Sequence, residues 1–191
     1  EELPEDKLLS LVDHDAINKY KDRCLNVGKK YQYGMAQNED IYFQSLEARN
    51  NDYAKTVDVV VDYMNKINEI MHTDYKPFNY YGAKDAKNII VAMGSVTDTI
   101  KEVVRKLGNV GLIEVHLYRP FSKEYFLNVL PKSVKNIAVL DRTKEAGSSG
   151  EPLYLDVCSI LKNKNINIYF ERTTSRVCNR NCTRRKIWST I

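Results

Sequence analysis

Asn88-Ile89-Ile90-Val91-Ala92-Met93-Gly94-Ser95-Val96-Thr97-Asp98 is the stretch from which the fold can be read. Residues 89–93 form the longest unbroken apolar run in the chain, too short for a helix of its own and rich in β-branched side chains, so they predict a buried strand. Gly94 closes the run. Ser95-Val96-Thr97-Asp98 has the form of a capping box, with a side-chain acceptor first and an acid three residues on, so a helix should follow over residues 97–107 and end at Gly108.

The same alternation continues downstream. Residues 111–118 are apolar and β-branched enough for a central strand, Pro120-Phe121 turns the chain, and Ser122 caps a helix that stops at Pro131. Residues 136–140 predict a third strand. The glycine-containing loop 143–150 leads to Pro152 at the start of a helix reaching about residue 162, and residues 165–170 predict a fourth strand. Strand-helix-strand units in series with right-handed crossovers make an α/β fold, a three-layer open sheet that is mostly parallel.

Upstream the sequence changes character. Residues 1–80 are helical and polar: helices are expected over 15–25, 40–49 and 54–71, the last because Val57, Val60, Val61, Met64, Ile67 and Met71 recur at offsets of three and four. That stripe reads as core. A domain boundary is placed near residues 76–84, giving a helical lead-in over 1–80, an α/β domain over 81–170 and a tail over 171–191.

Composition excludes several classes. Of the 191 residues 43% are apolar and 28% charged, the profile of a globular chain. No run approaches the ~18 apolar residues of a membrane helix. The net charge of +4 is local: residues 171–191 hold six basic side chains against Glu171, whereas the first 170 carry 23 basic against 24 acidic. The body is neutral, so no nucleic-acid or membrane partner is expected. Cys24, Cys158, Cys178 and Cys182 are too few and too scattered for a disulfide framework, which points to a reducing compartment.

In an open parallel sheet a ligand site lies at the carboxyl ends of the strands. The loop at Gly94 reads as a plain capped helix, with anion binding as the alternative, and it lacks the glycines of a dinucleotide fingerprint. Asp141-Arg142-Thr143-Lys144-Glu145-Ala146-Gly147-Ser148-Ser149-Gly150-Glu151 is the most polar stretch: Arg142 and Lys144 suit a phosphorylated ligand, and a charged loop pairing within itself or with a neighbouring domain is the competing reading. Arg119 stands at a strand end, where it could clamp a carboxylate or bridge two loops. His14, His72 and His116 are far apart, so no nucleophile-base pair can be argued and no catalytic residue is assigned; His116 is expected to be a structural, hydrogen-bonded histidine. Cys178 and Cys182 lack the second pair of ligands that a zinc or iron–sulfur site needs, so no metal site is expected.

Residues 89–96, then Val115-His-Leu-Tyr-Arg-Pro-Phe121, Ile137-Ala-Val-Leu-Asp-Arg-Thr-Lys-Glu145 and Gly150-Glu-Pro-Leu-Tyr-Leu-Asp156 together resemble the second core domain of pyruvate:ferredoxin (flavodoxin) oxidoreductase and of its pyruvate:NADP relative. Gly34-Met-Ala-Gln-Asn-Glu-Asp-Ile-Tyr-Phe-Gln44 and Tyr80-Tyr-Gly82 resemble the stretch leading out of that family's pyrimidine-binding domain. The resemblance implies a transketolase C-terminal-like α/β domain. It also implies a parent enzyme that converts pyruvate and CoA to acetyl-CoA and CO2 with thiamine diphosphate, magnesium and [4Fe-4S] clusters. Such a parent would be a homodimer of the cytoplasm or of a mitochondrion-related matrix, and would pass electrons to ferredoxin, flavodoxin or a fused NADP reductase.

The family's catalytic and cofactor-binding residues lie outside the matched motifs, so none is carried over and no cofactor is assigned to this segment. Arg119, Arg142, Lys144 and Glu145 are candidates for interdomain or CoA-side contact. The segment is expected to be a structural module that is inactive alone, with other domains of the same polypeptide as its partners. The alternatives are a separate subunit of a split 2-oxoacid:ferredoxin oxidoreductase, or a non-catalytic remnant whose basic tail binds a polyanion. After Ile168 the sequence leaves the family pattern, and the basic tail is expected to be poorly packed, as an altered reading frame or terminus would leave it.

Overall fold

The computed structural model describes residues 2–29 and 36–172, with the side chains of Glu171 and Arg172 left out. The expectations for the tail, including Cys178 and Cys182, lie outside the described residues. The chain divides into two compact units between Asp74 and Tyr75.

The first unit is helical: α1 (Glu5–Ser10), α2 (His14–Asp22), α3 (Glu39–Ala48) and α4 (Asn50–Met71). Asp13 caps α2 by accepting the Ala16 N–H at 2.8 Å. On α4 the expected apolar stripe is the least exposed face: Val57 is buried and Val60, Val61, Met64, Ile67 and Met71 are half-buried, while positions 58, 59, 62, 65, 66 and 69 are exposed. His72 ends the helix in a left-handed conformation, φ 55°. The short α1 had no periodic signal in the sequence.

The second unit contains β1 (Phe78–Gly82), β2 (Asn88–Ala92), α5 (Val96–Leu107), β3 (Val110–Val115), α6 (Lys123–Val129), β4 (Asn136–Asp141), α7 (Pro152–Leu161) and β5 (Asn167–Arg172). The five strands form one sheet in the order β1-β3-β2-β4-β5. All neighbours are parallel except β1, which runs antiparallel to β3. The expected α/β architecture is present, and β1 is added to it. Residues 75–80, which the sequence places in the lead-in, fall in the second unit with the rest of β1. Phe78 explains why: it is 1% exposed and meets Phe121 and Phe126 edge-on, with ring centroids 5.1 and 5.4 Å away.

Alternation along the strands separates two core layers. Ile89, Val91, Ile113, Val115, Ile137 and Val139 face α6 and α7, where they meet Phe126, Leu153, Val157 and Leu161. Ile90, Ala92, Val110 and Leu112 face α5 and its Ile100 and Val104. Both faces are covered, so the strands read as continuous apolar runs. At Gly82, φ is 128° and a Cβ would fall 2.4 Å from the Val110 carbonyl oxygen, so only glycine lets β1 close against β3. Among the described residues no helix is long and apolar enough to cross a membrane.

Two caps differ from expectation. Ser95 is already in the helical region (φ −60°, ψ −18°) and makes no side-chain cap bond, so its side chain is not placed to close a capping box. Ser122 has the extended backbone of a cap but no cap hydrogen bond from its side chain. By contrast Gly108 (φ 71°) ends α5 and Pro152 opens α7 as the sequence predicts.

Candidate functional site

The chain passes from β2 to β3 with α5 on one face, then back past β2 to β4 with α6 on the other. This reversal places a switch point between β2 and β4, with the loops after β2, β3 and β4 around it at the carboxyl end.

Under the loop after β2 lies a charged cluster on the α5 face. Glu114 falls on the same side of β3 as Val110 and Leu112, and its Oε2 accepts from Lys101 Nζ at 2.8 Å. Thr97 Oγ1 lies 2.6 Å from Glu114 Oε1 and 2.8 Å from the Gly94 carbonyl oxygen, so its one proton is shared between two acceptors. Thr97 thereby ties α5 back to the Gly94 turn where Ser95 does not. His116 lies just beyond β3 rather than within it; its Nε2 is 3.5 Å from Glu114 Oε2 and its ring meets Tyr75 edge-on. Partial burial alone would raise the Glu114 pKa, but hydrogen bonds from Lys101 and Thr97 outweigh it and hold the carboxyl below its ordinary value. Lys101 is raised by its hydrogen bond to Glu114.

A carboxylate depressed by folding stabilises the native state above its unfolded pKa, near 4.5, and that stabilisation is lost as pH falls through the lower native value. Thermal unfolding of Glu114→Gln should therefore show a lower midpoint at pH 7 and a shallower decline below pH ~4.5 than the unsubstituted chain. Parallel acid limbs in the two proteins would contradict the assignment.

The loop after β3 contains Arg119, in a cis peptide with Pro120. Arg119 Nη1 donates to Asp156 Oδ2 on α7 at 2.6 Å, and the guanidinium stacks over the Tyr118 ring at 4.0 Å. Of its two expected roles, this residue takes that of a bridge, from the β3–α6 loop to α7. Burial raises the Tyr118 pKa, with Arg119 opposing.

The loop after β4 is held by two carboxylates, each 1% exposed. Asp141 accepts the Thr143 N–H on Oδ1 and the Leu153 N–H on Oδ2, both at 2.9 Å, so it fastens the start of the loop to the first turn of α7. Glu151 accepts the Glu145 N–H on Oε2 at 2.7 Å, while Lys144 Nζ approaches Oε1 at 3.4 Å and donates to the Glu145 carbonyl at 2.9 Å. Residues 142–147 are all exposed above these two pegs.

The four sequence candidates are therefore not brought together as one ligand-binding set. Arg119 is turned to Asp156 and Lys144 to Glu151, whereas the side chains of Arg142 and Glu145 make no hydrogen bond or ion pair among the described residues. Asp141 and Glu151, the ends of the polar stretch, organise the loops together with Asp156 and the Thr97–Lys101–Glu114 cluster, and none of these is among the four candidates. Two local signals mark them: an acid inside the apolar run 110–115, and acids where β4 ends and immediately before Pro152.

Comparison with known proteins agrees with this architecture. Residues 86–186 match the family model of pyruvate:ferredoxin oxidoreductase core domain II, so the match runs past Ile168, where the sequence reading ended the resemblance. The pyruvate-flavodoxin oxidoreductase of Enterobacter agglomerans is 49% identical over 167 residues, covering 85% of this chain and 14% of that protein. The pyruvate:ferredoxin oxidoreductase of Moorella thermoacetica is 50% identical over 165 residues, 84% of this chain and 14% of that protein. The mitochondrial pyruvate dehydrogenase [NADP(+)] of Euglena gracilis is 40% identical over 179 residues, 92% of this chain and 10% of that protein. The chain spans about a seventh of the length of the first two.

Proposed function

Because the chain belongs to the pyruvate:ferredoxin oxidoreductase family, with residues 86–186 as its core domain II, we propose that it serves as a non-catalytic interdomain module of an oxidoreductase that converts pyruvate and CoA to acetyl-CoA and CO2. Electrons from that reaction pass to ferredoxin, flavodoxin or NADP, the acceptors named for its relatives. The observation that carries the reading is the use made of charge at the carboxyl end. Arg119, Lys144, Asp141 and Glu151 are turned to contacts within the unit rather than gathered around a common ligand space.

The start of α7 does not fit a diphosphate, and the described residues hold no ready metal site. The first turn of α7, where a diphosphate would find free N–H groups, is occupied by Asp141, and no group of three His, Cys, Asp or Glu side chains is placed to hold a cation. Thiamine diphosphate and magnesium, like the [4Fe-4S] clusters and the CoA site, belong in this reading to other segments of the parent.

What the module offers its neighbours is the exposed crown 142–147, with Arg142 unpaired among the described residues on a loop pinned at both ends. In the full-length parent, Arg142→Ala should weaken either CoA affinity, read as its KM, or the assembly of the enzyme, read by sedimentation, by about tenfold. Unchanged CoA KM together with unchanged assembly would overturn the contact role.

A further inference from the structure

The opposite end of the sheet carries a charge pattern that the interdomain reading leaves unused. The loops entering the parallel strands at their amino ends hold Lys84 and Lys87 before β2, Lys132 and Lys135 before β4, and Lys162 and Lys164 before β5. All six are exposed, and Asp85 is the one acid in these three loops. The loops thus contribute a net +5, as much as residues 75–170 as a whole, which hold 14 basic against 9 acidic side chains. None of the six lysines forms an ion pair among the described residues, whereas Lys101, Arg119 and Lys144 towards the carboxyl end all do.

The three loops are also tied to one another. The Lys87 carbonyl accepts from the N–H groups of Lys135 and Asn136 at 2.8 and 3.0 Å, and the Lys135 carbonyl accepts from Asn167 at 2.8 Å. Beneath the lysines the side chains of Asn88, Asn136 and Asn167 form a ladder across β2, β4 and β5, with bonds of 2.8 and 2.9 Å. The register pair Asn88–Asn136 brings the backbones that enter β2 and β4 at Lys87 and Lys135 to about the 5 Å spacing of neighbouring strands. Six exposed lysines against one acid on neighbouring loops give this end a positive potential that an anionic surface would neutralise.

We propose that the amino-terminal end of the sheet is a docking surface for an acidic polypeptide segment. Carboxylates spaced about 5–6 Å apart along an acidic helix match the spacing of the strands beneath the lysines. A nucleic acid fits less well: the patch holds lysines rather than the forked guanidinium groups that grip phosphate in pairs, and no exposed aromatic residue lies in these loops for a base to stack on. The proposal does not depend on the interdomain role of the carboxyl end.

The test uses the 191-residue chain and fluorescently labelled poly-L-glutamate. A variant carrying Lys84→Gln, Lys87→Gln, Lys132→Gln, Lys135→Gln, Lys162→Gln and Lys164→Gln is expected to bind at least about tenfold more weakly and to lose most of the salt dependence. A second variant, with Arg176→Gln, Arg180→Gln, Arg184→Gln and Arg185→Gln in the tail, should stay within about twofold of the unsubstituted chain, and Asp85→Lys should tighten binding. Three results would overturn the proposal. The loss could follow the tail variant; single-stranded DNA could bind through the same lysines as tightly as poly-L-glutamate; or sedimentation could reveal salt-sensitive self-association that the lysine variant abolishes, making a second copy the occupant.

Discussion

Phe126→Ala should lower the unfolding free energy of the chain by about 3–5 kcal/mol, the largest effect expected of any single truncation in the α/β unit. Phe126 is completely buried, and its ring meets Phe78 and Phe121 at centroid distances of 5.4 and 5.7 Å. These three rings come from β1, the turn after β3 and α6, so the loss would open a cavity where the antiparallel strand joins the sheet. Deleting the ring removes transfer energy and leaves a void that packed neighbours fill only in part. Urea unfolding followed by far-ultraviolet circular dichroism reads the change as a lower midpoint with an unchanged slope. Phe126→Leu, which keeps most of the volume, should recover more than half of the loss, and a loss below about 1 kcal/mol for Phe126→Ala would contradict the packing described.

Asp141→Ala should cost about 2–4 kcal/mol, because it strands the N–H groups of Thr143 and Leu153, the latter in a buried contact, and removes an anion from the first turn of α7. The effect should also be local: residues 142–150 would lose one of their two pegs and become sensitive to limited proteolysis while the sheet stays folded. Asp141→Asn keeps one acceptor oxygen and should fall between the alanine variant and the unsubstituted chain. Equal protease resistance in all three would mean that Glu151 alone holds the loop.

Most of the sheet was legible because its strands and punctuation are local. The run 89–93, Gly108 and Pro152 each act through a single residue's geometry or a few apolar neighbours, and each fell where expected. β1 was not legible: it is an edge strand of mixed polarity whose one deeply buried side chain, Phe78, finds its partners more than 40 residues away. The carboxyl-end loops were recognised as polar and charged, but their pairing was hidden for the same reason. Arg119 is 37 positions from Asp156, and Thr97 is 17 from Glu114, so nothing in a local window distinguishes a cation aimed at a ligand from one already satisfied. Ser95 shows the converse error, in which a motif of the right form sits one residue too far into the helix to act as a cap.

As the structural module proposed above, this chain should occur within a much longer oxidoreductase polypeptide. Intact mass and peptide mapping of the native protein from its source test it most directly. The expected result is that peptides spanning residues 75–172 map to a polypeptide several times the length of this chain. A stable native product that ends near Ile191 would contradict it.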